Sequence, residues 1–314
     1  MQHVPGGLFP IFAEVMHQGK AYAISQSMNP SPLVTRRDLL DAAKVEPPQT
    51  WDEFIEICKT LQQPPKLTGY GMCLGLTGDT NGNVMSVTWS YGGQLVETDN
   101  TTVALHSPGT VKAVQLIADM FHKHKIIPKG TIAWDNIGNN KAYQSRQVIF
   151  VQNATSIYAH LAESDRDLYK VTELLPMPAC PAGAFETLGT AYWTLCKHNP
   201  YPEVPKGLAE YWMAPENLRV MIEEGDGRWG PPYRGMYASE FWKRPVFTHW
   251  RQMQERGRHF ASPATAPPAV GEVFSTYVIG RMMHRVLVET WEAEKAVEEA
   301  HKKTAEIYAR HQEG

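Results

Sequence analysis

The chain has 314 residues, enough for two domains or one large one, and its 43% hydrophobic and 20% charged residues are ordinary for a globular protein. Lys+Arg 30 against Asp+Glu 33 leaves a net charge of -3, too even to suggest a nucleic-acid or membrane-surface partner. No apolar run is long enough to cross a bilayer, and the four cysteines, Cys58, Cys73, Cys180 and Cys196, lack metal-ligand spacing.

In chain order, residues 8 to 17 read as a short helix and Ala21 to Ile24 as a strand entering a turn at Ser25 to Asn29. Val34 to Ala43 gives a strand end and a helix. Thr50 and Glu53 have capping-box spacing, and Phe54, Ile57, Cys58 and Leu61 then recur on one helical face. Leu67 to Leu76 is strand-like but rich in glycine, with Gly69, Gly71 and Gly75 spaced wrongly for a dinucleotide fingerprint. Val84 to Trp89 reads as an apolar helix ending at Gly92-Gly93, and Val103 to Leu105 as a short strand. Ser107-Pro108 supplies an N-cap and N1 pair for a helix with Val111, Val114, Ile117 and Phe121 as its stripe.

A Trp134-Asp135-Asn136 turn precedes a short polar helix, Asn139 to Ser145, and the apolar run Val148-Ile149-Phe150-Val151. A run of that composition between polar turns reads as a strand buried on both faces. Asn153 to Ser156 follows, with Thr155 or Ser156 placed to cap the next helix. In an open α/β sheet, ligands bind at that end of the strands. Leu174 to Pro178 and Gly189 to Leu195 read as strands on either side of a Pro/Gly linker. Pro205 is expected to delay a helix near Lys206 to Met213, and Pro215 opens another that ends before Gly225-Asp226-Gly227. After the Trp229 to Pro232 turn come a helix over Val246 to Arg256, a proline-rich loop over Pro263 to Pro268, and two amphipathic helices. Ile279, Met282, Met283, Val286 and Leu287 line one of these, and Ala296, Ala300, Thr304 and Ile307 the other.

Common catalytic signatures are missing: no G-x-S-x-G, H-E-x-x-H, C-x-x-C or phosphate-binding G-x-x-x-x-G-K-[ST]. His122 and His124 stand two apart on a helix, where side chains diverge, so they make a poor metal pair. No cofactor is expected. Cys58 and Cys196 read as buried free thiols, with a Cys58–Cys73 disulfide left open.

Several motifs recur in an order that resembles one family. They are Pro47-Pro48-Gln49-Thr50-Trp51-Asp52-Glu53-Phe54, Trp89-Ser90-Tyr91-Gly92-Gly93, Gly138-Asn139-Asn140-Lys141-Ala142 through Asn153-Ala154-Thr155-Ser156, and Trp229-Gly230-Pro231-Pro232-Tyr233. Over nearly its whole length the chain is similar to the family 1 extracellular solute-binding proteins of bacterial ABC importers, of the carbohydrate type to which maltose-binding protein is related. The resemblance implies the type II periplasmic-binding-protein fold, two α/β lobes with a hinged cleft. It places chain crossings near residues 27–34, 183–190 and 226–232. Residues 1–30 and 188–228 would form an N-lobe, and 31–187 and 229–314 a C-lobe. Family members also carry a signal peptide and an opening α/β portion ahead of Lys20 to Ile24. Neither is read here, so an N-terminally truncated member, or one with a misplaced start, is expected, with an incomplete and less ordered N-lobe.

The function implied is capture of a sugar or oligosaccharide without catalysis, and delivery to the membrane subunits of an ABC permease. The protein would act as a monomer, periplasmic or extracellular and lipid-anchored. Sugars offer apolar C–H faces ringed by hydroxyls, which suit aromatic platforms beside planar polar groups. On that reasoning the ligand residues are Gln26, Asn29, Trp89, Tyr91, Trp134, Asp135, Asn153, Tyr192, Trp193, Arg228, Trp229 and Tyr233, with Arg234 adjacent. For a single Trp, half-buried core is the commoner role, by about two to one; Trp229, set between glycines in a turn, is the best exception. Asn153 could bind ligand or its own turn. A glycoside hydrolase, which needs two carboxylates about one bond, and a chain that binds no ligand stay open as alternatives.

Overall fold

The computed structural model describes residues 15–17 and 20–312. Met16–His17 (β1) and Lys20–Ala21 (β2) form a small hairpin. The helix expected over 8 to 17 therefore lies mostly outside the described residues, and its last described part is strand. Ile24–Pro30 (β3) runs through the stretch expected to turn, because it pairs antiparallel with a distant strand. Leu33–Arg36 (β4) leads into Arg37–Ala43 (α1). Trp51–Leu61 (α2) begins with the expected capping box: the Thr50 hydroxyl accepts from Glu53 N–H and the Glu53 carboxylate accepts from Thr50 N–H.

Thr68–Tyr70 (β5) is all that becomes strand in the glycine-rich stretch, and Gly78–Ser90 (α3) starts well before the expected helix. Val103 makes only an isolated bridge to Val96. Pro108–Ala118 (α4) is capped by Ser107 and widens into a π-helical turn, Asp119–Lys123, in which Met120 and Phe121 are buried. Gly138–Gln144 (α5), Val148–Gln152 (β6), Ser156–Ser164 (α6), Arg166–Val171 (α7) and Thr172–Leu175 (β7) follow.

Leu188–Trp193 (β8) pairs with β3, and Glu203–Met213 (α8) and Pro215–Glu224 (α9) come next. Pro205 does not delay α8. It falls in the first turn, where a helix N–H has no intrahelical partner to lose. Trp250–Arg256 (α10), Pro268–Ser275 (α11), Val278–Leu287 (α12) and Ala293–Gln312 (α13) complete the chain. A 3₁₀ turn, Pro245–Phe247, takes the start of the helix expected from Val246.

The main sheet has the order β5-β6-β4-β7, with β5 parallel to β6 and the other pairs antiparallel. Every residue of β6 is buried. Phe150 and Ile149 join a core with α2, α3, α4 and the last three helices, while Val148 and Val151 join a second core with α5, α6, α9 and α10. The second sheet, among the described residues, is only β3 and β8. Leu218 and Ile222 of α9 belong to the second core, so this part of the expected N-lobe packs on the larger body. All four cysteines are free: Cys58 and Cys73 are separate buried thiols, whereas Cys196, expected to be buried, is exposed beyond the end of β8.

Candidate ligand cleft

The turn after β6 sits against stretches of chain expected as crossings, of which the β3–β4 and β7–β8 connections join the two sheets. Asn153 N–H donates to the Pro32 carbonyl at 3.4 Å. The Thr155 hydroxyl donates to the Gly227 carbonyl at 2.8 Å instead of capping α6, which has no side-chain cap. The start of α3 faces the same place, and farther along that helix the Ser86 hydroxyl donates to the Phe185 carbonyl. The turn therefore touches two of the crossings and α3 the third.

A polar cluster occupies this position. The Asn153 amide donates to Asn139 Oδ1 at 2.9 Å and to Asn140 Oδ1, and lies 3.5 Å from Asp79 Oδ2. Asn139 in turn donates to Asp79 Oδ2 at 3.1 Å, and Asn136 Oδ1 accepts from Asp79 N–H at 3.3 Å. These residues come from the first turns of α3 and α5 and the end of β6, the ends that an α/β sheet presents to ligands. Asp79 is half-buried and has no cationic partner among the described residues. Burial raises its pKa above the usual carboxylate range, and the Asn139 amide only partly offsets that. Its Oδ1 accepts no hydrogen bond within the described protein, so the cluster holds acceptor capacity in reserve.

Trp134 borders the cluster. It is half-buried at the end of the 3₁₀ segment Lys129–Ala133, and Gly138 lies so close that a Cβ there would strike the indole ring. Asp135 is exposed, and its carboxylate accepts from Ile137 N–H at 3.1 Å, closing the turn. Trp229 is half-buried beside Gly225, with the exposed Arg228 guanidinium 5.5 Å from its ring centroid. Tyr233 is half-buried against the second core, and Arg234 stands 3.9 Å from Glu255. Asn29 and Gln26 turn inward: Asn29 Oδ1 accepts from Gly230 N–H at 2.7 Å, and Gln26 lies 3.4 Å from Met221 Sδ.

Five expected ligand residues are not gathered here: Gln26, which lies beside Tyr192 in the β3–β8 pair, and the four that follow. Trp89 is fully buried in the first core, and Tyr91 sits at the opposite end of α3 beside Cys180. At ~1.5 Å rise per residue that end is about 18 Å from Asp79. The apolar run from Val84 to Trp89 is itself a sign of burial, which reading Trp89 as an aromatic beside a turn passes over. Tyr192 and Trp193 lie at the far end of β8, about 17 Å beyond Leu188 at ~3.4 Å per residue. There Trp193 packs edge-on against Trp212, with centroids 6.4 Å apart. Conversely, Asp79, Asn136, Asn139 and Asn140 escaped the sequence reading as ligand residues. The Gly138-Asn139-Asn140 motif was visible, but nothing local tied it to Gly78-Asp79, which arrives through a sequence separation of 60 residues.

Two sheets connected by the β3–β4 and β7–β8 passages, with a polar cluster at the end of β6, fit the periplasmic-binding-protein class of fold. Over 95% of its length the chain superimposes on the maltose-bound MalE3 of T. maritima, with a TM-score of 0.84, 20% identity and 76% of that chain covered. An ABC transporter solute-binding protein of Thermotoga lettingae bound with α-D-tagatose gives 0.83, 19% identity, and coverage of 98% of this chain and 78% of that one. The sugar-binding protein MalE of Xanthomonas citri gives 0.78, 17%, 98% and 76%. Residues 5–248 match the family described as bacterial extracellular solute-binding protein, and the chain belongs to that family. It is a binding protein and not a catalyst, which closes the hydrolase alternative. Among the described residues no helix is long and apolar enough to cross a membrane.

Proposed function

We propose that this solute-binding protein captures a sugar or oligosaccharide in a cleft between two lobes, and presents it to the permease of an ABC importer. The lobes on this reading are residues 1–30 with 188–228, and 31–187 with 229–314. The observation that carries the reading is the Asp79, Asn139, Asn140 and Asn153 cluster beside Trp134, set against the crossings that would serve as hinge. Amides and a carboxylate with open acceptor capacity suit vicinal hydroxyls, and Trp134 and Trp229 supply flat apolar faces for the C–H side of a sugar ring. Closure about the crossings would bury the ligand and give the permease a distinct surface to recognise. The sugars bound by the T. maritima and T. lettingae proteins belong to those proteins, but they favour this ligand class.

Calorimetric titration with a panel of mono- and oligosaccharides, including maltose and tagatose, tests the reading. Binding to at least one is expected without turnover. Trp229→Ala should weaken it by about 5- to 150-fold, since loss of a stacking aromatic costs roughly 1–3 kcal/mol. Asn153→Ala should weaken it as well at an unchanged melting temperature. A panel that yields no binding, or a Trp229→Ala protein that loses stability but keeps its affinity, overturns the assignment. The proposal further includes a monomeric, periplasmic or lipid-anchored extracellular protein.

A further inference from the structure

We infer that the last turn of α10 is the pivot of the hinge, with Gln254 and Arg256 as its positioning residues; the inference rests on the two-lobe reading above. The three crossings are bonded to one another side by side. Met28 N–H donates to the Gly230 carbonyl at 3.1 Å, and Ser31 N–H to the Thr187 carbonyl at 2.9 Å. Gln254 joins two of these stretches through one planar amide. Its Nε2 donates to the Met28 carbonyl on the first crossing and, at 3.2 Å, to the Pro231 carbonyl beside the third. Its Oε1 accepts from the Tyr237 hydroxyl. Both amide protons and the oxygen are thus used, in a side chain only 2% exposed.

Two residues along, Arg256 takes hold of the second crossing. Its guanidinium makes a two-pronged pair with Glu186, one arm at 2.8 Å from Oε2 and the other on Oε1, and the Glu186 side chain is wholly buried. Glu186 Oε1 also accepts from Met177 N–H at 2.9 Å. The chain beyond α10 adds backbone bonds on either side: Arg258 N–H to the Glu186 carbonyl at 2.9 Å and Leu188 N–H to the Arg258 carbonyl at 2.8 Å.

The helix itself is fixed to the larger body, because Trp250 and Met253 are fully buried and Trp250 belongs to the second core. Gly230 permits the approach, since a Cβ there would collide with the Met28 carbonyl and the Gln254 amide. One helix thus holds all three crossings, through Gln254, whose amide is fully bonded, and through the Arg256–Glu186 pair. Rotation of one lobe against the other must turn about those bonds or break them.

The test needs no ligand. Spin labels placed by amber suppression at the exposed positions Glu163 and Glu210, one in each lobe, report the inter-lobe distance by double electron–electron resonance. The expected result is one narrow distribution in the unmodified chain and a second, longer-distance population in Gln254→Met, which keeps the volume but loses both donors. Gln254→Asn, which withdraws the amide by one methylene without adding charge, should give a smaller second population, and it keeps the test informative if Gln254→Met does not fold. Arg256→Lys should shift the distribution in the same direction, because an ammonium cannot reproduce the two-pronged pair. A residue that only stabilises the core would lower the melting temperature and leave the distances alone. Unchanged distributions in the folded variants overturn the pivot. Failure of the sugar reading would be seen separately, as an absence of binding in the titrations of the unmodified chain.

Discussion

The four-stranded and two-stranded sheets differ in the burial of their strands. β6, Val148 to Gln152, is buried at every residue between two hydrophobic cores. β8, Leu188 to Trp193, buries only Leu188, and the helix that follows it, α8, buries only Ala209. Val204, Leu208 and Tyr211 on α8 stand 66%, 49% and 64% exposed. Propensity and pattern made both regions regular, but only what packs against them makes one a core. The order of stability should follow burial and not hydrophobicity.

Paired truncations give the largest expected contrast. Phe150→Ala removes a ring fully buried 4.9 Å from that of Phe54 and should cost about 3–5 kcal/mol. Leu208→Ala removes a similarly apolar side chain from the exposed face of α8 and should change stability by no more than about 0.5 kcal/mol. Urea denaturation of both variants decides it, and equal losses would break the comparison. Amide exchange sharpens the same point without mutation. Residues 148–152 and 111–118 should exchange only through global opening, and 190–193 through local opening several kcal/mol cheaper. Uniform protection would mean that the two-stranded sheet is held by more than its visible contacts. A smaller effect lies at the junction: Thr155→Ala removes the hydroxyl bond to Gly227 and should cost about 1 kcal/mol. A loss near zero in the same denaturation assay would leave the turn after β6 uncoupled from the third crossing.

What could be read in the sequence divides along the same line. The doubly buried strand, the capping box at Thr50, the Ser107-Pro108 start and the α12 and α13 stripes are local patterns with local causes, and each appears where expected. The turn expected at Ser25 to Asn29 is a strand because Leu188 to Trp193, far along the chain, pairs with it. Pro205 was expected to delay the start of α8, whereas it occupies the first turn, which tolerates it. The candidate site was half legible. Trp134, Asn153 and Trp229 stood out by type and position, but Asp79 and Asn139 join Asn153 only through the tertiary fold. Trp89 was misplaced because its place beside a turn was weighed above the apolar run from Val84 that leads into it.

The last contrast is set by pH, at the joint between the two regions. His259 follows Arg258, which bridges to Thr187 at the second crossing, and its Nδ1 accepts from Ala261 N–H at 3.3 Å. Burial lowers its pKa from 6.5 to about 4, with a bond to the Ala264 carbonyl pulling weakly the other way. The folded imidazole is therefore neutral between about pH 4 and 6.5, while the unfolded chain takes up a proton there. Unfolding binds that proton, so stability is fully present above pH 6.5, falls as pH drops through this window, and loses nothing more from this group below about pH 4. At neutral pH the effect vanishes, which makes it the smallest of the set under ordinary conditions. His259→Asn keeps an acceptor for Ala261 N–H and removes the titration. Carboxylates also titrate toward the acid end, but they are common to both proteins and cancel in the difference. The stability of His259→Asn relative to the parent should rise steadily as pH falls from 6.5 to 4 and be flat above. Parallel curves across that window would show that His259 titrates as it does in the unfolded chain, and that the joint is more open to water than the packing of residues 258–264 implies.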